Sequence, residues 1–83
     1  MSNVYYEDRR LVVDLHQLQV DEAKILLNQQ LDMLPQNIKE VKVIHGFHHG
    51  NVLMDMLRKD FKHKRINQKY RGLNKGITIF YLK

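Results

Sequence analysis

Apolar residues at two different spacings divide the first half of the chain into three elements. Over residues 11–16 the apolar face Leu11, Val13 and Leu15 alternates with the face Val12, Asp14 and His16, which is the period of a β-strand. Over residues 20–34 apolar residues recur every three or four positions, as on one face of a helix, and Pro35 ends that pattern. A second strand is predicted over residues 39–45. Because a helix separates the two strands, we expect a right-handed crossover that leaves them parallel.

The second half predicts another helix and two more strands. A loop at residues 46–51 precedes the helix, whose predicted apolar face is formed by Leu53, Met56 or Leu57, and Phe61. Residues 65–71 alternate as an exposed, cationic strand, and residues 77–82 form a nearly continuous apolar run, typical of a central strand.

The predicted order is therefore β-α-β-α-β-β. This order predicts an α+β fold, a two-layer α/β sandwich with a mixed four-stranded sheet and one uncovered sheet face. Residues 1–10 are predicted to form a polar N-terminal tail, and residues 11–83 a single domain, since 83 residues suffice for one core.

Composition narrows the environment of the protein. The chain has no cysteine, which excludes disulfides and thiolate metal sites and favours the cytoplasm. Its apolar runs are too short to span a bilayer, and residues 1–8 lack the layout of a signal peptide. We therefore expect a cytoplasmic protein without a membrane partner. No pattern in the chain specifies an oligomeric state.

Positive charge is concentrated in the C-terminal part of the chain. Residues 1–50 contain five Lys or Arg and seven Asp or Glu, whereas residues 51–83 contain nine and two. Such a block can simply keep a small protein soluble. The sharper interpretation is a polyanionic partner, DNA or RNA.

Two histidines follow the predicted parallel strands. Asp14 and His16 share one strand face, where the carboxylate can orient the imidazole for acid–base chemistry, although such a pair can also be purely structural. His45 ends the second strand, and the carboxyl ends of strands are where open α/β sheets bind ligands. His45 is in phase with Val41 and Val43, so the two rings converge only if the chain leaves strand geometry at Gly46.

Glycines and cations supply candidate phosphate contacts. The loop before the second helix has free backbone N–H groups, which together with the helix dipole can bind an anion, although a plain turn explains it equally. Tyr70 could stack on a base or cover the sheet. The predicted phosphate- and nucleic-acid-binding residues are Gly46, His48, Gly50, Asn51, Lys64, Arg65, Lys69, Tyr70, Arg71 and Lys75.

Five histidines also raise the question of a metal. The adjacent pair His48 and His49 is poorly suited to one ion, and no spacing matches a zinc finger. We predict no metal and no cofactor. The alternative is a divalent ion held by Asp14 and two histidines.

Three segments together resemble the Smr (small MutS-related) domain. At residues 13–23, Val-Asp-Leu-His-Gln and a Val-Asp-Glu-Ala helix start resemble the family's Leu-Asp-Leu-His-Gly motif and its helix. At residues 43–50, Val-Ile-His-Gly-Phe-His-His-Gly resembles a strand ending in His-Gly-x-Gly-x-Gly. At residues 76–82, Gly-Ile-Thr-Ile-Phe-Tyr-Leu resembles the last strand, Gly-x-Thr-x-x-x-Leu. The resemblance covers nearly everything from residue 11 to residue 82.

This resemblance implies a nucleic-acid-binding domain, often a nicking endonuclease on DNA or an RNA endonuclease. It also implies a fold similar to the C-terminal domain of bacterial translation initiation factor three. By position, Asp14 and His16 would be the catalytic pair, and His45 with Gly46 the second half of the site.

The chain departs from the family pattern at Gln17 and His48, which stand where glycines are expected. The leading hypothesis is an endonuclease that cleaves phosphodiester bonds by Asp/His acid–base chemistry. Because the loop is altered, the alternative is a non-catalytic DNA- or RNA-binding module. A metal-dependent hydrolase and a domain that binds acidic proteins are further hypotheses.

Overall fold

The fold combines a mixed sheet with two helical segments. The computed structural model describes residues 3–46 and 51–83. Its strands are β1 (Val4–Glu7), β2 (Arg10–Asp14), β3 (Glu40–Ile44), β4 (Ile66–Arg71) and β5 (Ile77–Leu82). Its helices are α1 (Val20–Met33) and α2 (Val52–Asp55), and a π-helix, Met56–Asp60, continues α2.

The strands lie in the order β1-β2-β3-β5-β4. β2 and β3 are parallel, as expected for two strands joined by a helix, and the remaining neighbours are antiparallel. The mixed sheet is therefore confirmed. β5 lies between β3 and β4, in agreement with its apolar sequence, while the cationic strand β4 lies at the edge.

The structure has five strands where the sequence predicted four. Val4–Glu7, assigned from sequence to a polar tail over residues 1–10, pairs with β2 as an antiparallel hairpin. The turn is made by Asp8 and Arg9, both with positive φ (51° and 69°). Two positive φ values match the twist of a tight hairpin. The usual Asn-Gly or Asp-Gly signal is missing from this turn, which is why the pattern did not reveal the strand.

Helix α1 supplies one side of the core. Ala23, Leu27 and Leu31 are fully buried and join a cluster of buried sheet residues that includes Val13, Val41 and Phe80. At the start of the helix, the Glu22 carboxylate accepts a hydrogen bond from the Gln19 N–H at 2.9 Å. This contact satisfies one of the free N–H groups of the first turn.

The π-helix settles which residues of the second helix face the core. The sequence left Met56 and Leu57 as alternatives, and the structure buries both, together with Phe61. The Phe61 N–H donates to the Met56 carbonyl, five residues earlier, at 2.7 Å. This wider turn lets three side chains reach the core that regular α-helical spacing would separate.

Candidate functional site

One edge of the sheet collects the ends of several strands. The Leu15 N–H donates to the Ile44 carbonyl at 2.7 Å, which ties the end of β2 to the end of β3. The N–H groups of His45 and Gly46 both donate to the Gly76 carbonyl, at 2.8 and 3.1 Å, which ties β3 to the start of β5. The residues that follow β2 and β3 therefore lie together at this edge of the sheet.

Asp14 and His16 form a defined pair at this edge. The His16 ring Nδ1 lies 2.5 Å from Asp14 Oδ1, and the His16 backbone N–H donates to the same oxygen at 3.1 Å. A carboxylate oxygen accepts, so Nδ1 carries the proton. Half of the His16 side chain is exposed. Within the described part of the chain, its other nitrogen, Nε2, has no protein partner and is open to a substrate.

Gly46 lies against this pair. Its φ is +72°, and a Cβ atom at this position would lie 3.2 Å from the Cβ of His16. A non-glycine residue would therefore meet both an unfavourable backbone conformation and a tight contact. The glycine lets the end of β3 approach His16 closely.

His45 occupies a different place from the one expected of a catalytic residue. Its ring is buried, 4% exposed. Nδ1–H donates to the Gly46 carbonyl at 2.8 Å, and Nε2 lies 2.9 Å from Thr78 Oγ1. Because a carbonyl only accepts, Nε2 is the nitrogen that accepts from the Thr78 hydroxyl. Both nitrogens of His45 are therefore occupied by hydrogen bonds within the fold.

Thr78 and Arg58 complete this buried network, and sequence reasoning did not select either. Arg58 Nε donates to Thr78 Oγ1 at 3.4 Å. Thr78 is fully buried in β5. The available signal was the threonine of the last motif, because a polar residue on the inward face of a central strand needs a partner.

Burial lowers the pKa of His45 below its ordinary value of 6.5, opposed by the bond to Gly46 and assisted by Arg58. The unfolded chain therefore takes up this proton before the folded one does, so wild-type stability falls as the pH drops below about 6.5. His45→Gln lacks this titration. We expect the free energy of unfolding, measured in urea across a pH series, to fall more steeply for wild type than for His45→Gln. Parallel pH curves would contradict the assignment of a neutral His45.

Two cations predicted to bind phosphate are instead used inside the fold. Arg65 donates to the carbonyls of Leu34, Pro35 and Ile38, at 2.6, 3.3 and 3.5 Å, just after the end of α1. Lys69 Nζ donates to the carbonyls of Leu57 and Phe61, at 2.7 and 2.5 Å, at the end of the π-helix. Both satisfy carbonyls that helix ends leave free.

The remaining predicted contacts are exposed or lie outside the described residues. Lys64, Arg71, Lys75 and Asn51 are exposed. Tyr70 is 46% exposed, its ring packs edge-on against Tyr81 at 5.0 Å, and its hydroxyl donates to Gln68 Oε1. The predicted contacts His48 and Gly50 lie outside the described residues.

Over residues 3–46 and 51–83 there is no group of three or more His, Asp or Glu arranged to hold a metal ion. In the same residues, no helix combines the length and apolar character needed to cross a membrane.

The fold and site define a small α/β domain with an oriented Asp–His pair at the carboxyl ends of parallel strands. The model of the Smr domain family matches residues 13–82. This chain therefore belongs to the Smr domain family, a nucleic-acid-binding, nuclease-like family. No curated protein and no solved structure matches the chain significantly.

Proposed function

We propose that this Smr domain is an endonuclease that cleaves phosphodiester bonds of DNA or RNA with Asp14 and His16. The observation that most directly supports this proposal is the Asp14–His16 pair. The 2.5 Å contact from Nδ1 to Asp14 orients the ring, and among the described residues Nε2 has no hydrogen-bond partner. The position of the pair in the family's first motif and the positive charge of the C-terminal part support the same substrate.

The proposed chemistry is proton transfer by His16. Nε2 takes the proton of the attacking hydroxyl, either of water or, in RNA, of the 2′-OH. The resulting imidazolium is stabilised by the Asp14 carboxylate and can return the proton to the leaving oxygen. Cations of the C-terminal part would stabilise the charge on the phosphoryl oxygens. Asp14 is a positioning residue in this scheme because it acts through the His16 ring.

Three further properties belong to the proposal. The partner is nucleic acid, DNA or RNA, and the location is the cytoplasm, where a cysteine-free chain loses nothing by reduction. The fold is proposed to be similar to the C-terminal domain of bacterial translation initiation factor three. Residues 11–83 are proposed as the domain boundaries, which leaves β1 as an addition at the edge of the sheet.

A substrate panel tests the proposal. Wild type and Asp14→Asn are incubated with labelled single-stranded, duplex and branched DNA and RNA, with and without a chelator. Asparagine keeps the size of the side chain but removes the charge that orients the ring. We expect wild type to cut at least one substrate and Asp14→Asn to cut it about a hundredfold more slowly, as expected for a misplaced catalytic group. Equal rates for both proteins would contradict the proposal.

The second candidate is a binding module without catalysis. It is favoured by the buried ring of His45, whose two nitrogens are both hydrogen-bonded within the fold, and by Gln17 in place of a family glycine. It predicts salt-sensitive binding without products on every substrate of the same panel. Products that diminish in Asp14→Asn would reject this candidate.

A further inference from the structure

The second helical segment and the edge strand β4 border two adjoining pockets. The first pocket, of about 520 Å³, lies at the end of β4 and is lined by Arg58, Arg71 and Lys75, among others. The second pocket, of about 380 Å³, lies near the start of β4 and is lined by Arg58, Lys62 and Lys69, among others. Because Arg58 lines both, the two pockets adjoin beside β4, and we call them together the β4 groove.

The lining of the β4 groove is strongly cationic. Its five Lys and Arg residues are Arg58, Lys62, Lys69, Arg71 and Lys75, and none of the described lining residues is Asp or Glu. The pKa of Lys69 is lowered mainly by burial and secondarily by the nearby positive charge of Lys62, against the opposing effect of Asp60. A bound anion would relieve this repulsion.

Most of these cations are available to a ligand. In the described ranges, the side chains of Lys62, Arg71 and Lys75 have no protein partner, and Arg58 uses only Nε, toward Thr78. Cations elsewhere on the sheet are paired. Arg10 contacts Glu40 at 2.8 Å, and Lys42 lies 3.6 Å from Glu7. The groove therefore combines high positive charge with unused donors.

The groove also leads toward the Asp14–His16 pair. Lys75, in the first pocket, precedes Gly76. The Gly76 carbonyl accepts hydrogen bonds from the N–H groups of His45 and Gly46. From there Gly46 lies directly against His16. The end of the groove at Lys75 is therefore connected, through Gly76 and Gly46, to the edge that carries the proposed catalytic residues.

We propose that the β4 groove holds the sugar–phosphate backbone of one single strand of nucleic acid, with Arg58 at its centre. The inference rests on the proposed nucleic-acid substrate and specifies its form. Six strand residues span about 20 Å, enough for several consecutive phosphates. Lys69 and Arg71 lie in the edge strand β4, whereas Arg58, Lys62 and Lys75 lie in the segments that border it. A cationic depression beside one edge strand suits one backbone, whereas a duplex presents two. Cationic grooves track single strands in other proteins, and the amide-bearing residues Asn67 and Gln68 also line this groove.

A matched pair of variants tests the groove. One carries Lys62→Gln, Arg71→Gln and Lys75→Gln; the control carries Lys24→Gln, Lys59→Gln and Lys83→Gln, outside the groove and with the same loss of charge. Both carry His16→Ala, so that cleavage cannot consume the probe. Arg58 stays unchanged because it contacts Thr78. Binding of fluorescein-labelled oligothymidylate and oligouridylate is followed by anisotropy over a salt series.

For the groove variant, we expect the slope of log K against log salt to fall by about 2, since each lost phosphate contact on a single strand contributes about 0.7. The control keeps the slope of the His16→Ala parent. Equal losses in both variants, or no binding by the parent, would overturn the inference, as would equal competition by a duplex of the same length. Circular dichroism checks that both variants fold. The test measures binding alone. If the protein binds in the groove but never cleaves, the endonuclease proposal is rejected while the inference about the groove still holds.

Discussion

His16→Ala is expected to slow phosphodiester cleavage by about 10²- to 10⁴-fold, the usual contribution of a positioned acid or base. The alanine removes the open Nε2 and leaves the Asp14 carboxylate without its ring partner. Binding should change little, because the proposed backbone contacts lie in the β4 groove. Single-turnover rates on the best substrate of the panel, with affinity measured separately, distinguish a loss of chemistry from a loss of binding.

The chain contains a matched control for this variant. His63 also pairs with a carboxylate, Asp32, at 2.8 Å. Its Nδ1 accepts the Arg65 N–H at 3.1 Å, and only 6% of its side chain is exposed. Both nitrogens are therefore occupied. Because His63 also lines the β4 groove, the comparison uses the cleavage rate of fully bound substrate, which His63→Ala should leave near that of wild type. The proposal would be contradicted if His16→Ala cleaved as fast as wild type, or if His63→Ala lost as much of the cleavage rate as His16→Ala. Parallel purification of all three proteins detects a contaminating nuclease.

Phe80→Ala is expected to destabilise the fold by about 3–5 kcal/mol, the usual cost of removing a buried aromatic side chain. Phe80 is fully buried in β5, between Val41 of β3 and Lys69 of β4. Its ring stacks on Phe61 at 6.0 Å, and Lys69 Nζ lies 5.8 Å from the ring centroid. The substitution would leave a cavity and remove a favourable contact from a partly buried cation. For a domain of this size, that is a large share of the total stability.

Urea unfolding measures this loss, and Tyr81 provides the comparison. Tyr81 is the next residue of β5 but points to the opposite sheet face, is 42% exposed and packs edge-on against Tyr70. Tyr81→Ala should lower the free energy of unfolding by about 1 kcal/mol, the usual contribution of such an aromatic pair. Similar losses for the two variants would show that the core does not centre on Phe80.

Much of the fold and the contact between Asp14 and His16 could be predicted from the sequence. The alternation before His16 and the helical spacing that starts at Val20 predicted β2, α1 and the parallel pairing, because these periods reflect which side chains an element can bury. The pair of Asp14 with His16 was predictable because the partners are only two residues apart in the chain, although the sequence placed both on one strand and the structure ends β2 at Asp14 and places His16 in the turn that follows. Strand β1 was not, since its pairing depends on a hairpin turn whose residues carry no turn signal.

The roles of the other polar residues depended on contacts between distant parts of the chain. His45 and Thr78 are 33 residues apart, and Arg65 reaches carbonyls about 30 residues away. Charge and residue type alone could not separate these occupied groups from the free cations of the β4 groove. A buried carbonyl or hydroxyl must find a partner, and only the packed chain determines which side chain reaches it.

The amino-acid sequence by itself therefore determined the family, the main elements and the Asp14–His16 pair, because each depends on residues close together in the chain. The tertiary structure alone decided that His45 is buried, that Arg65 and Lys69 satisfy helix ends, and that Arg58 joins two pockets into one groove. The reason is physical: local periodicity sets which side chains are buried, whereas hydrogen-bond partners and surface grooves arise only when separate elements pack together.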